Sequence, residues 1–440
     1  MVRAIALAVM ISAAAVAQEA PAPAGQRLTL EAAIQAALER NPDLRRQTLL
    51  ALSAEQDKVL ARAAILPTLG INASYTDTRQ GGGVPVVQNI QLPPQPTQVF
   101  HSWQGSATLR QLIFDGGRWW NNLDAADLGL AASRAQVDEQ RLQITYLVEQ
   151  RFYELVRAQR QLAVLADAAS RSRDQADFTQ RLFEGGRSTQ ADVYAARANR
   201  DNDEINRLGQ ERSVELARTD LALAIGVDPA EPLTVAEPPR LMEDPAQPPL
   251  TKDAVARALE ARPSLKAVSL TVASNRKAAS AAGGDYWPSV ALAAGYQRST
   301  RDLSSLFSDP ARNSTLYGAV SLSWNVFNGF ATDASVRKAE IQAMLSENDL
   351  TTARRNVASD VQKAVAQLGT ARSQARVAQQ SELTAKEGLR LARTRQEVGV
   401  GTQLEVRDAE LKLTQAQLSV VGSLVDGREA EAALRRAQGG

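Results

Sequence analysis

The chain has 440 residues, and its 50 Lys+Arg nearly balance its 49 Asp+Glu. That balance gives no basic surplus for nucleic acid and no acidic surplus for a disordered tail. With no cysteine and a single histidine, His101, thiol chemistry, disulfides, Cys/His zinc sites and histidine-based triads are ruled out.

Met1-Val2-Arg3 precedes an apolar run from Ala4 to Ala17, with Ala15-Val16-Ala17 placed as a cleavage pattern. A charged start, a short apolar middle and small residues at the cut define a secretory signal peptide over 1–17. The run falls short of the about 20 residues that span a bilayer as a helix. No other stretch reads as a transmembrane helix, so strands would have to hold the mature chain in a membrane.

The remainder is written twice. Ala33 to Pro42 matches Ala254 to Pro263, and Pro67 and Tyr75 match Pro288 and Tyr296, all at an offset of 221. Phe114, Gly186 and Thr189-Gln190 match Phe327, Gly399 and Thr402-Gln403 at an offset of 213. The copies are 18–225 and 251–440. They are separated at 226–250 by a proline-rich connector that cannot continue a helix.

In the first copy a helix from about Leu30 breaks at Asn41-Pro42 and resumes to about Leu66. Leu69, Ile71, Ala73 and Tyr75 then alternate with small and polar residues, the period of a strand with one apolar face. Strands are expected at about 68–78 and 101–113, and again at 288–299 and 314–327. All five tryptophans (Trp103, Trp119, Trp120, Trp287, Trp324) lie in or beside them, as expected of aromatics at a membrane–water boundary. Four strands cannot close a barrel, and open edges would leave backbone groups unpaired in lipid. Closure therefore requires several protomers. An open lumen requires at least three, because side chains fill an eight-stranded barrel.

After Phe114-Asp115-Gly116-Gly117 and Phe327-Asn328-Gly329-Phe330 come two long proline-free stretches, Arg118–Glu184 and Phe330–Val398. Each would reach about 100 Å as a helix. Val148, Leu155, Leu162, Ala169, Ala176 and Phe183 repeat every seven residues, a coiled-coil period. Val361, Leu368, Ala375 and Leu389 keep it in the second copy, with Glu382 in the series. The helices reverse at tips near 185–189 and 399–402, and the returns run to about 225 and 436. Each return is half the length of its partner and would be completed end to end by the helix that precedes a strand. The fold class is mainly α with a small β part: a long helical hairpin bundle plus four transmembrane strands per chain.

The chain now resembles the TolC family of outer-membrane efflux proteins over nearly all of its mature length. The carriers are Leu28 to Pro42, Leu66-Pro67-Thr68-Leu69, Phe114-Asp115-Gly116-Gly117, and the tips Phe183 to Val193 and Glu397 to Val406. The resemblance implies a homotrimer with one shared twelve-stranded barrel and a periplasmic helical tunnel. It implies a cell outer-membrane location in a Gram-negative bacterium, with no cofactor, metal or catalytic residue. As partners it implies outer-membrane lipid, a periplasmic adaptor protein and an inner-membrane transporter, and no nucleic acid. By similarity the docking tips would comprise Gly186, Ser188, Thr189, Asp192 and Val193, with Gly399, Thr402, Leu404 and Val406. Glu405 and Asp408 would form the pore constriction, six carboxylates around one axis that favour cations. Where family members latch the tips with a tyrosine and an arginine, this chain has Gln396 and Gly401. The expected function is a passive exit duct of a tripartite efflux or type I secretion system. The alternative is a barrel-anchored coiled-coil surface protein, which predicts one barrel segment at one chain end rather than strands interrupting helices twice.

Overall fold

The computed structural model describes residues 28–440 apart from 84–85, 88–89, 92, 94–95, 232 and 309–312. The expected signal peptide at 1–17 lies outside the described residues. In the first repeat, α1 (Leu30–Arg40) and α2 (Pro42–Ala63) lead to β1 (Thr68–Gln80), the two-residue strands β2 (Val86–Val87) and β3 (Ile90–Gln91), and β4 (Gln98–Phe114). Then come α3 (Arg118–Glu184) and its return α4 (Gln190–Ile225). The second repeat has α5 (Thr251–Ala261), α6 (Pro263–Gly283), β5 (Ser289–Thr300), a short α7 (Leu303–Phe307), β6 (Ser314–Ser323), α8 (Ala331–Glu397) and α9 (Gln403–Gln438). Among the described residues no helix is long and apolar enough to cross a membrane.

The long helices α3 and α8 each have 67 residues, and the returns α4 and α9 each have 36. A return covers only about half of its partner, so a second helix must cover the rest. In the first repeat α4 ends at Gly226 (φ 82°) against the Arg40 carbonyl, where a Cβ would stand 3.0 Å away. In the second, Gly439 (φ 98°) meets Ala261 and Arg262 in the same way. α2 and α6 continue the layer beyond these junctions.

Each junction follows from a proline. Pro42 and Pro263 occupy the first turn of α2 and α6, where a missing backbone donor costs nothing. Asn41 caps α2 by accepting the Asp43 amide at 2.9 Å and donates to the Ala224 carbonyl at 3.1 Å, tying three helices together. The second repeat has Arg262 there, which cannot accept a bond. Instead the Glu139 carboxylate of α3 accepts the Ser264 amide at 3.1 Å, and the Arg262 guanidinium lies 3.6 Å from Glu139 and 3.3 Å from Asp360 of α8.

Most of the heptad positions lie inside, but Leu162 is only partly buried and Phe183, at the tip, is exposed. Val148, Leu155, Ala169 and Ala176 are buried in α3, as are Val361, Leu368, Ala375 and Leu389 in α8. Glu382 interrupts the second series and pairs with Lys386 at 2.7 Å. The connector lies across this bundle. Leu28 and Val235 form a parallel bridge, Pro245 packs where a Gly427 Cβ would be, and Arg428 of α9 donates to the Arg240 and Glu243 carbonyls.

The four long strands form one antiparallel sheet in the order β1-β4-β5-β6, so the repeats join through β4 and β5. β6 ends at Ser323, short of the expected 327. Beyond it the Trp324 indole donates to the Tyr286 carbonyl at 3.1 Å, and Gly329 and Phe330 turn the chain with φ of 66° and 67°. Between β5 and β6, Leu303–Phe307 forms α7, whose Leu306 packs 3.6 Å from the Cβ position of Gly105.

Candidate functional site

Two regions carry chemistry that the packing alone does not explain: the faces and edges of the sheet, and the helical tips. Strand register decides the sheet. Leu69 faces Leu109, which faces Ala294, which faces Gly318; Ile71, Ala107, Tyr296 and Leu316 form the next row. Leu292, Val320 and Leu322 share that face, and Ile71, Leu316 and Val320 are almost fully exposed. The opposite face carries Asn72, Ser74, Thr76, Ser106, Thr108, Arg110 and Gln297. Water penalises an apolar surface this continuous, and lipid rewards it. Among the described residues β1 and β6 have no strand partner at their outer edges, which lipid does not tolerate unless another chain pairs there.

The aromatics bracket this face. Near the loop end, Trp103 packs on Tyr75 with ring centroids 4.7 Å apart, and the Tyr75 hydroxyl bonds His101 at 2.9 Å. At the helix end Trp120, Trp287 and Trp324 are exposed. From Trp103 to Phe114 the strand runs roughly 36 Å, or about 28 Å along a barrel axis tilted by about 40°, close to the thickness of a bilayer core. Trp119 leaves the expected interface set. It is 7 % exposed, because successive helical residues point about 100° apart and Trp119 and Trp120 cannot both face outward.

At the first tip Gly186 (φ 71°) ends α3. Its amide donates to the Phe183 carbonyl at 2.9 Å, and the Arg187 amide reaches Leu182 at 2.7 Å. At the second, Gly399 (φ 79°) donates to Gln396 at 3.1 Å, and the Val400 amide reaches Arg395 at 3.0 Å. Both are Schellman closures, which need a residue at ease with positive φ. Neither glycine has a neighbour within 4 Å of its Cβ position, so backbone conformation rather than space selects glycine.

The returns start differently. Thr189 caps α4 by accepting the Asp192 amide at 3.2 Å, while the Asp192 carboxylate accepts the Thr189 amide, the Thr189 hydroxyl at 2.7 Å and the Ser188 hydroxyl at 3.1 Å. This is a complete capping box. The Thr189 and Ser188 bonds hold the Asp192 carboxyl below its ordinary pKa. With those bonds made, Asp192 serves the tip's own shape. Thr402 likewise accepts the Glu405 amide at 3.2 Å, but the Glu405 carboxylate turns to Arg395 at 3.5 Å.

The expected docking residues divide by burial. Leu404 is 78 % exposed, and Val398 and Val400 beside it are exposed too. Val193 and Val406 are 5 % and 0 % exposed; they face inward, Val406 against Leu389 and Leu413. These two leave the docking set, because they hold each return helix onto its partner. At Gly401 a Cβ would stand 2.9 Å from the Gln396 amide nitrogen, so a side chain at that position would require the turn to shift.

The first turns of α9 divide into three faces. Val406 and Leu413 pack on α8, joined by Glu410, whose carboxylate pairs with Arg393 of α8 at 2.9 Å. Arg407 faces α4 and forms a two-pronged pair with Asp203 at 2.6 and 3.0 Å. Glu405, Asp408 and Lys412 share the third, exposed face, where Lys412 Nζ lies 2.6 Å from Asp408. The Asp203–Arg407 bridge between repeats had no sequence motif. The Asp408–Lys412 pair had one, an acid four residues before a lysine.

An amphipathic sheet with open edges, carried on helices of about 100 Å, defines a subunit of an oligomeric barrel-and-tunnel protein. The outer membrane efflux protein family model matches residues 33–227 and 254–440, one match per repeat. The chain belongs to this family of outer-membrane transport channels. Protein CyaE of Bordetella pertussis is 26 % identical over 376 residues, 82 % of this chain and 74 % of that one. Outer membrane protein OprJ of Pseudomonas aeruginosa is 25 % identical, covering 92 % of this chain and 83 % of that protein. The crystal structure of the outer membrane protein VceC from Vibrio cholerae superposes with a TM-score of 0.78 at 20 % identity, covering 93 % of this chain and 96 % of that one.

Proposed function

We propose that three copies of this chain close a twelve-stranded barrel, continued by a helical tunnel that serves as the exit duct of a tripartite efflux or type I secretion assembly. The carrying observation is the sheet with one apolar face and two unpaired edges, which becomes stable in lipid only by pairing with neighbours. The tips are the docking end for a periplasmic adaptor that couples the duct to an inner-membrane transporter. Exposed Val398, Val400 and Leu404 give the second tip an apolar surface for such a contact. Glu405 and Asp408 on the free face of α9 line the constriction at that end, so the duct is passive and gated there.

Planar-bilayer recording of the purified protein tests this reading. Discrete conductance steps are expected, rising in size or open time in Glu405→Ala/Asp408→Ala. No conductance in either protein would overturn the duct. For docking, Gly186→Val or Gly399→Val is expected to abolish export while trimers persist on gels; loss of the trimer itself would refute a docking role.

A further inference from the structure

We propose that Arg395 and Lys412 neutralise the constriction, so that this duct, unlike one closed by a bare acid ring, passes cargo with little preference for charge. The inference rests on the placement of Glu405 and Asp408 at the constriction and adds two residues that set its selectivity. Glu405, Asp408 and Lys412 lie within an arc of about 60° on one face of α9, because steps of three and four residues return to the same side of a helix. Asp408 and Lys412 are in direct contact at 2.6 Å, with side chains 59 % and 70 % exposed. Arg395, on the last turn of α8, reaches the other acid at 3.5 Å. Each acid of the pair therefore has its own cation.

The exposed pairs contribute little stability, but their effect on the pore does not depend on how often they close. Lys412 lies 2.6 Å from Asp408 and Arg395 lies 3.5 Å from Glu405, well inside the screening length of about 8 Å at physiological ionic strength. An ion at the axis therefore feels the acids and bases together. Six carboxylates from three protomers meet six cationic groups in the same short segment, and the net charge of the ring is zero.

Reversal potentials across a potassium chloride gradient, recorded in salt dilute enough that screening does not hide the ring, test this directly. The wild-type channel is expected near charge neutrality. Lys412→Gln exposes three carboxylates and should raise the cation-to-anion permeability ratio about threefold or more, given three charges near the axis in a high dielectric. Arg395→Gln should act in the same direction, and Glu405→Gln/Asp408→Asn should shift the ratio toward anions. If the acid variants shift the ratio and Lys412→Gln and Arg395→Gln do not, compensation is refuted while the constriction stands. If no variant shifts it, the constriction is misplaced and the inference falls with it. A wild-type channel that is already strongly cation-selective also overturns compensation.

Discussion

The two helical tips share one backbone plan and use it differently. Both close with a glycine at positive φ, and both start the return helix with a threonine cap. At the first tip the acid three residues on completes the box, and every bond it makes is local. At the second the equivalent acid leaves the cap for Arg395 and stands in line with Asp408 and Lys412. A duplicated hairpin thus separates two tasks: one copy spends its acid on shape, and the other presents its charges to solvent. The helix breaks show the same divergence. Asn41 caps its own helix, whereas Arg262 leaves the cap to Glu139 from another helix.

The largest test of this contrast lies where the two tips are joined. Asp203→Ala leaves the Arg407 guanidinium partly buried without its carboxylate. It is expected to cost about 2–4 kcal/mol of local stability, somewhat below the cost for a fully buried pair. Hydrogen exchange of α4 and α9 near the tips should speed up together, and Asp203→Leu/Arg407→Met should recover much of the loss. Unchanged exchange would show that the tips are independent. Next, Gly186→Ala and Gly399→Ala should each cost about 1–2 kcal/mol from left-handed backbone alone, and equally, since both Cβ positions are open. A clear inequality in exchange at the two turns would mean that packing, not conformation, holds one of them.

The caps should differ more subtly. Thr189→Ala removes the hydroxyl that accepts the Asp192 amide and donates to its carboxylate, leaving only the Thr189 backbone amide on Asp192, and should cost about 1 kcal/mol, against about half that for Thr402→Ala. Equal fraying of α4 and α9 would erase the distinction. The smallest effect is in pH. Bonding from Thr189 and Ser188 depresses the Asp192 pKa, so this cap contributes fully above the ordinary carboxylate range, about 4. Its contribution is lost as the pH falls through the lower folded value. Asp192→Asn should remove that acid-side change in exchange at the start of α4.

Much of the fold was legible because it is periodic. Alternation in Leu69–Tyr75 and Val290–Tyr296, absence of proline over 118–184 and seven-residue spacing from Val148 are all local properties of the chain. The repeat set the order of the elements without any knowledge of contacts. What stayed hidden depends on partners remote in sequence. Asp203 and Arg407 are 204 residues apart. The inward turn of Trp119, Val193 and Val406 depends on which helix face meets a neighbour. The early end of β6 depends on where its partner stops: Ser323 pairs with Ser289, and Pro288 before it has no backbone donor. The cation partners of Glu405 and Asp408 were half legible: the spacing to Lys412 is a helix rule, but Arg395 reaches Glu405 only through the turn.

Native mass spectrometry of the mature protein released from detergent micelles tests most directly whether the sheet closes through its neighbours. A species of three chains is expected, with no folded single chain once detergent is withdrawn. A monodisperse, water-soluble monomer retaining its strands would contradict it.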